Sequence, residues 1–177
     1  MAEENTQNSG NSAAGEGKSG GPEFAIQKIF IKDLSFESPD APDVFLREWK
    51  GDTNIQLNTN ARPVREEDGI YEVELGLTVT TKSQDQTAYL VEIKQAGVFI
   101  IRGFPEDQRN QLLGSYCPGT LFPFARETVA DLVAKGGFPQ LLLQPVNFEA
   151  LYAKHMAEQK GQGSGEGAPA SGSATTA

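Results

Sequence analysis

The residue types that most often do covalent chemistry are scarce in this chain. Cys117 is the single cysteine and His155 the single histidine. Cys117 lies in SYCPGTLFPFARE, residues 115–127, directly before Pro118. A reactive thiol needs a neighbouring base, a cation or a helix N-terminus to lower its pKa. His155 sits far along the chain beside a low-complexity end, and no Asp or Asn spacing orients a Cys–His pair. Cys117 therefore reads as a buried structural thiol, and His155 as a solvated side chain on a terminal helix. One Cys and one His cannot supply the usual nitrogen and sulfur ligands of a zinc site, and the acids lack EF-hand spacing. The glycines form neither G-x-G-x-x-G nor the P-loop pattern. Glu66, Glu67 and Asp68 precede Gly69 in a turn, where solvated acids are the plain reading and an acid/base dyad is not. The expectation is no enzyme, no cofactor and no metal.

Large apolar groups outside clean strand or helix patterns are the more informative set. Val44, Phe45, Leu46 and Trp49 fall in SPDAPDVFLREWKGD, a Pro- and acid-rich stretch that reads as a loop. Phe122, Pro123 and Phe124 open a helical pattern. Ordinary core packing accounts for each singly. Together they fit a groove for extended apolar segments, because aromatic rings bring contact area at little entropy loss and discriminate poorly among apolar partners.

The elements that must position them follow from periodicity. Residues 24–37 are Phe- and Ile-rich, but Ile29 and Ile31 have opposite parity to Phe24, Phe30, Leu34 and Phe36, so both faces are partly apolar or a bulge intervenes. Residues 53–60 predict a short strand with Ile55 and Leu57 on one side, and 61–69 a turn. Residues 70–81 alternate cleanly, with Tyr71, Val73, Leu75, Leu77 and Val79 opposite Glu72, Glu74, Thr78 and Thr80. Residues 87–101 are apolar on both faces over much of their length. Pro105 with Glu106 and Asp107 opens a helix towards Tyr116. A second helix spans roughly 119–135, with Phe122, Ala125, Val129, Leu132 and Val133 on one stripe, and ends at Gly136-Gly137. Asn147 caps a last helix that presents Phe148, Leu151, Tyr152 and His155 on one face. Strands followed by helices predict an α+β domain, a four-stranded antiparallel sheet with C-terminal helices packed on one face.

Composition divides the chain. Residues 1–23 and 161–177 hold no large apolar side chain beyond the initial Met and read as disordered, flexible tails. Residues 24–160 form one domain and contain every aromatic residue. The tails hold five acids (Glu3, Glu4, Glu16, Glu23, Glu166) and one base (Lys18), which leaves the domain at net −5 within a chain of net −9. That balance argues against nucleic acid and anionic membrane partners and favours a basic or apolar one. A lone cysteine fits a reducing compartment. No secretory leader is visible at the acidic N-terminus, and no apolar run reaches the ~20 residues of a membrane span. A cytoplasmic protein is expected. The helices show apolar groups on more than one stripe, and self-association is the simplest relief.

With these elements in place, a family resemblance emerges. YCPGTLFPFARETVADLVAKGGFPQLLLQPVNFEALYAK, residues 116–154, resembles the signature region of the SecB protein-export chaperones. IKDLSFESPDAPDVFLREW resembles their first strand and crossover loop, and YEVELGLTVT with TAYLVEIKQAGVF their central hairpin. The resemblance implies a cytoplasmic chaperone, a homotetramer built as a dimer of dimers. Such a protein binds unfolded precursor proteins, keeps them translocation-competent and delivers them to the translocation ATPase SecA for export. By motif, the family's SecA-docking positions fall on Asp33, Glu37, Leu90 and Glu92. The subunit-association region falls on Val91, Ile93 and Gln95. The client groove would include Val44, Phe45, Trp49, Ile55, Leu57, Phe148, Leu151 and Tyr152. The rival readings are an apolar small-ligand binding module and a purely structural assembly subunit.

Overall fold

A computed structural model describes residues 21–162. The expected disorder of the two ends concerns residues that lie mostly outside this range. Within it, Glu23 already belongs to the first strand and the last helix runs through Gln162.

Four strands form one antiparallel sheet: β1 (Glu23–Glu37), β2 (Gly51–Arg65), β3 (Ile70–Ser83) and β4 (Gln86–Arg102), in the order β1-β4-β3-β2. β3 and β4 meet at a two-residue turn in which Gln84 and Asp85 both take positive φ, 52° and 66°. That conformation matches the twist of a tight hairpin, and short polar side chains tolerate it. β2 is longer than the expected 53–60. Arg62, Pro63 and Arg65 pair with Glu72, Tyr71 and Ile70, and the turn shrinks to the residues around Gly69. Pro63 does not stop the strand because β2 is an edge, where a missing N–H costs no ladder bond when it faces outward.

The slipped alternation of β1 has a definite cause. Its register against β4 shifts between Ile26 and Lys28 and again between Ile31 and Asp33. Each bulge resets the phase. As a result Phe24, Ile26, Ile29, Ile31, Leu34 and Phe36 all lie opposite helix-side residues of β4, although their sequence parity is mixed. A bulge leaves backbone groups without ladder partners. Gln95 meets one such need, its Nε2 donating to the Phe30 carbonyl at 2.8 Å.

After β4 the chain forms one nearly continuous helical rod: α1 (Glu106–Gln111), a five-residue π turn (Leu112–Tyr116) and α2 (Cys117–Lys135). The break expected at Cys117-Pro118 is thus a helix interior. Pro118 falls in the first turn of α2, where its absent N–H matters least, and the π turn upstream absorbs the change of register. α2 lies across β3 and β4. Leu121, Ala125, Val129 and Val133 are fully buried against Val73, Leu75, Leu77, Val79, Val91, Ile93 and Phe99. Of the stripe read from the sequence, Phe122, Ala125, Val129 and Val133 are buried and Leu132 lies at the margin, while Leu121, which that reading lacked, packs with them. Residues 139–147 run extended without regular structure, and α3 (Phe148–Gln162) closes the described chain. Its Asn147 cap forms as expected, with Oδ1 accepting from Ala150 N–H at 2.9 Å.

The core model makes one stability prediction. Leu121→Ala removes a fully buried side chain at the centre of the α2–sheet contact and should cost about 2–5 kcal/mol, read as a lowered denaturation midpoint at unchanged slope.

Candidate functional site

The sheet has two chemically different faces. The helix-side face of β3 and β4 is covered by α2. The other face, here called the open face, carries no element of the described chain. Its rows follow from the register: Glu37, Leu90 and Thr80; then Ser35, Glu92 and Thr78; then Asp33, Lys94 and Gly76; then Phe30, Ala96 and Glu74; then Lys28, Val98 and Glu72. Asp33, Glu37, Leu90 and Glu92 thus come together in three consecutive rows on two neighbouring strands. Glu37 lies directly opposite Leu90, and Glu92 one row below. Among the described residues, Asp33, Glu37 and Glu92 enter no ion pair. An apolar side chain flanked by unpaired carboxylates can attract a basic group that has an apolar neighbour.

Further down the same face, the acids are matched. Lys32 Nζ lies 3.1 Å from Glu72 Oε1 and 3.0 Å from Glu74 Oε2, and Arg62 on β2 pairs with Glu72 from the other side. Burial pushes the Glu72 carboxyl up. The hydrogen bond from Lys32 and the charges of Arg62 and Lys32 outweigh that and hold it below its ordinary value.

Seven of the eight expected groove residues separate into two clusters and a link. Phe45 and Trp49 stand at one end, 49 % and 36 % exposed, with ring centroids 5.0 and 5.5 Å from that of Phe138. Phe138 also meets Tyr89 at 4.8 Å and Phe36 at 6.4 Å, so four rings surround it. Leu57, Phe148, Leu151 and Tyr152 line a cleft of about 770 Å³ at the other end, between β2 and α3. Tyr152 lies so close to Gly114 in the π turn that no Cβ would fit there. Ile55, 47 % exposed, lies between the two clusters on the helix-side face of β2, opposite Val79. α2 covers β3 and β4, so the outer part of that face at β2 stays open.

Two expectations need correction. Val44 is 4 % exposed and belongs to the core, where it anchors the helical turn Asp43–Leu46. It supports Phe45 but offers no surface of its own. Val91, Ile93 and Gln95 are at most 2 % exposed within a single chain, on the side of β4 that faces α2. Within the single chain their side chains pack in the core and on the β1 bulge. Two residues were missed. Phe138 follows the Gly136-Gly137 helix stop in an extended run with no periodicity to mark it. Leu113 in the π turn contributes to the cleft only because Leu57 and α3 come over it. Phe122 turns inward against Phe148, at 5.8 Å, while Phe124 is exposed.

Cys117 is fully buried, and burial pushes its thiol up to about 12. Among the described residues no group of three or more His, Cys, Asp or Glu is placed to hold a metal ion. No described helix is long and apolar enough to cross a membrane.

Comparison with known proteins places this geometry in context. The family model described as "SecB: Preprotein translocase subunit SecB" matches residues 17–159. A protein-export protein SecB from Thioalkalivibrio sulfidiphilus is 60 % identical over 152 residues, covering 85 % of this chain and 90 % of that one. One from Alkalilimnicola ehrlichii is 49 % identical over 182 residues, covering 100 % of this chain and 96 % of that one. A SecB-like chaperone from Mycobacterium tuberculosis, solved in complex with a peptide from an antitoxin, has the same fold at a TM-score of 0.59 and 16 % identity, covering 70 % of this chain and 90 % of that one.

The state of the thiol is directly testable. At pH 8 a pKa of about 12 leaves about one thiol in 10⁴ ionised, so a thiol reagent should leave Cys117 unmodified in the native protein and label it promptly in denaturant.

Proposed function

This chain belongs to the SecB family, and on that premise we propose that it is a molecular chaperone of protein export. It binds unfolded precursor proteins in the cytoplasm, keeps them translocation-competent and hands them to SecA. The observation that carries this reading is the separation of two surfaces by one sheet. Half-exposed aromatic rings, Phe45 and Trp49, stand beside the uncovered helix-side face of β2. The unpaired acids Asp33, Glu37 and Glu92 stand with Leu90 on the opposite face.

Clients are held on the helix side. An unfolded chain offers apolar side chains at intervals, and burying each against Phe45, Trp49, Ile55, Leu57, Leu151 or Tyr152 contributes about 25 cal/mol per Å². Phe148 and Phe138 form the floor and keep these rings in place. Several weak contacts along one client sum through effective concentration, so tight holding needs no single deep pocket. Because the contacts form with the unfolded state, binding delays folding by mass action.

SecA docks on the open face. Asp33, Glu37 and Glu92 attract a basic surface, and Leu90 supplies the apolar contact beside them. The two faces leave the client in place while the ATPase engages. Four copies associate as a dimer of dimers. Support for association comes from the cleft of about 1220 Å³ between β1 and the outer side of α2, where Ile31, Leu34 and Leu142 are 47 %, 39 % and 56 % exposed. Val91, Ile93 and Gln95 act on association from beneath, by holding β4 and the bulged β1 in shape.

The test pairs two variants. Phe45→Ala with Trp49→Ala should weaken capture of a slowly refolding precursor about tenfold or more and leave SecA binding unchanged. Asp33→Ala with Glu92→Ala should do the reverse. Equal losses in both assays from either variant would refute separate surfaces, and a wild-type chain that never delays refolding would refute the chaperone reading.

A further inference from the structure

The open face is sorted by charge along its length. Its acids on β1, β4 and β3 are Glu23, Asp33, Glu37, Glu72, Glu74 and Glu92. Glu23, Glu72 and Glu74 lie towards one end, and each has a cationic partner: Arg102 for Glu23, Lys32 with Arg62 for Glu72, and Lys32 for Glu74. Asp33, Glu37 and Glu92 lie towards the other end and have none among the described residues. Lys32 is the only one of these cations to bind two acids. It reaches them from the edge strand across the whole width of β4.

The backbone explains how. Ile31 pairs with Gln95 and Asp33 with Lys94, so Lys32 is the extra, unpaired residue of the second β1 bulge. A bulge lets two successive side chains serve the same face. Ala96 of β4, a small and fully buried residue, stands in the same row as Glu74. Lys32 is adjacent in sequence to Asp33, yet its ammonium is engaged by Glu72 and Glu74. Its own pKa is raised by the hydrogen bonds to Glu74 and Glu72. The bulge therefore does two things at once. It cancels the two acids of β3, and it keeps the lysine away from Asp33.

We propose that Lys32 is a specificity-determining residue for docking of the basic partner: by pairing with Glu72 and Glu74 it confines the uncompensated negative charge to Asp33, Glu37 and Glu92, and so sets where on the sheet that partner seats. The inference rests on the reading of those three acids with Leu90 as the SecA-docking surface. Without Lys32, five free or half-free carboxylates would run diagonally across the face. A basic surface could then bind in more than one position.

The experiment measures SecA binding over a range of salt concentrations for the full chain and its variants. In the wild-type background Glu92→Ala should weaken binding about tenfold, since a close charge pair at an interface is lost. In the Lys32→Gln background the same Glu92→Ala change should cost about threefold or less, with a steeper salt dependence, because the unmasked acids offer a second seat. Lys32→Arg, which keeps the charge, should behave as wild type. Adding Glu74→Gln to Lys32→Gln should restore the larger Glu92 effect, a rescue that a merely structural lysine would not give. Should Lys32→Gln fail to fold, Glu72→Gln with Glu74→Gln provides the converse: it removes both partners of Lys32, frees it to turn towards Asp33 and should lower SecA affinity several-fold from outside the docking corner. Equal Glu92 penalties and equal salt slopes with and without Lys32 would overturn the inference while leaving the docking reading intact. A Glu92→Ala chain that binds SecA as well as wild type would sink the docking reading and the inference with it.

Discussion

The contact of α2 with β3 and β4 is the constraint on which the rest depends. A sheet of this size must cover one face to hold together, and here a single rod does so, through Leu121, Ala125, Val129 and Val133. One helix is narrower than four strands. It seals the middle of the sheet and leaves both margins underdressed: β2 with Ile55 on one side, and β1 with Ile31 and Leu34 on the other. The opposite face receives no cover within the described chain. The functional surfaces are what remains after one helix has done all the burying it can.

Much of this was legible in the residues. Strict alternation in 70–81 fixed which side of β3 is inside, because period two leaves no freedom once one face is buried. The helical stripe Phe122, Ala125, Val129 and Val133 was equally clear, and Asn147 announced its own cap. What could not be read has physical causes. The two bulges of β1 scramble parity, so its inner face is a list of residues with no single period. Pro118 reads as a helix breaker unless the π turn before it is known. Pro63 reads as the end of a strand unless β2 is known to be an edge. At the candidate site, Asp33, Glu37, Leu90 and Glu92 lie in one corner because β1 pairs with β4, a neighbour far away in sequence. Val91, Ile93 and Gln95 differ from Leu90 and Glu92 only by one residue of register, yet that step moves them from the open face to the core. Phe138 has no pattern around it and becomes visible only when four rings close on it.

The two-faced design also separates the physics of the two partners. On the proposed reading, client contacts on the helix side are apolar and offer salt little charge to screen. They tolerate many sequences because rings such as Phe45 and Trp49 ask only for area. Contacts on the open face are charged, and their strength depends on where carboxylates stay free. On that reading promiscuity and specificity can be tuned independently, because the two sets of residues stand on opposite faces of one sheet. Lys32 belongs wholly to the second system.

The burial of Cys117 takes on a further meaning beside a surface made for unfolded chains. Precursor proteins bound for an oxidising compartment carry cysteines that have not yet paired, held close and for a long time. An accessible thiolate on the holder would attack any disulfide that had already formed in the cargo, expel one of its sulfurs as thiolate and leave a mixed disulfide, turning a reversible grip into a covalent one. A thiol sealed on the inner side of α2 keeps the release step purely non-covalent, whatever reactive sulfur the cargo brings.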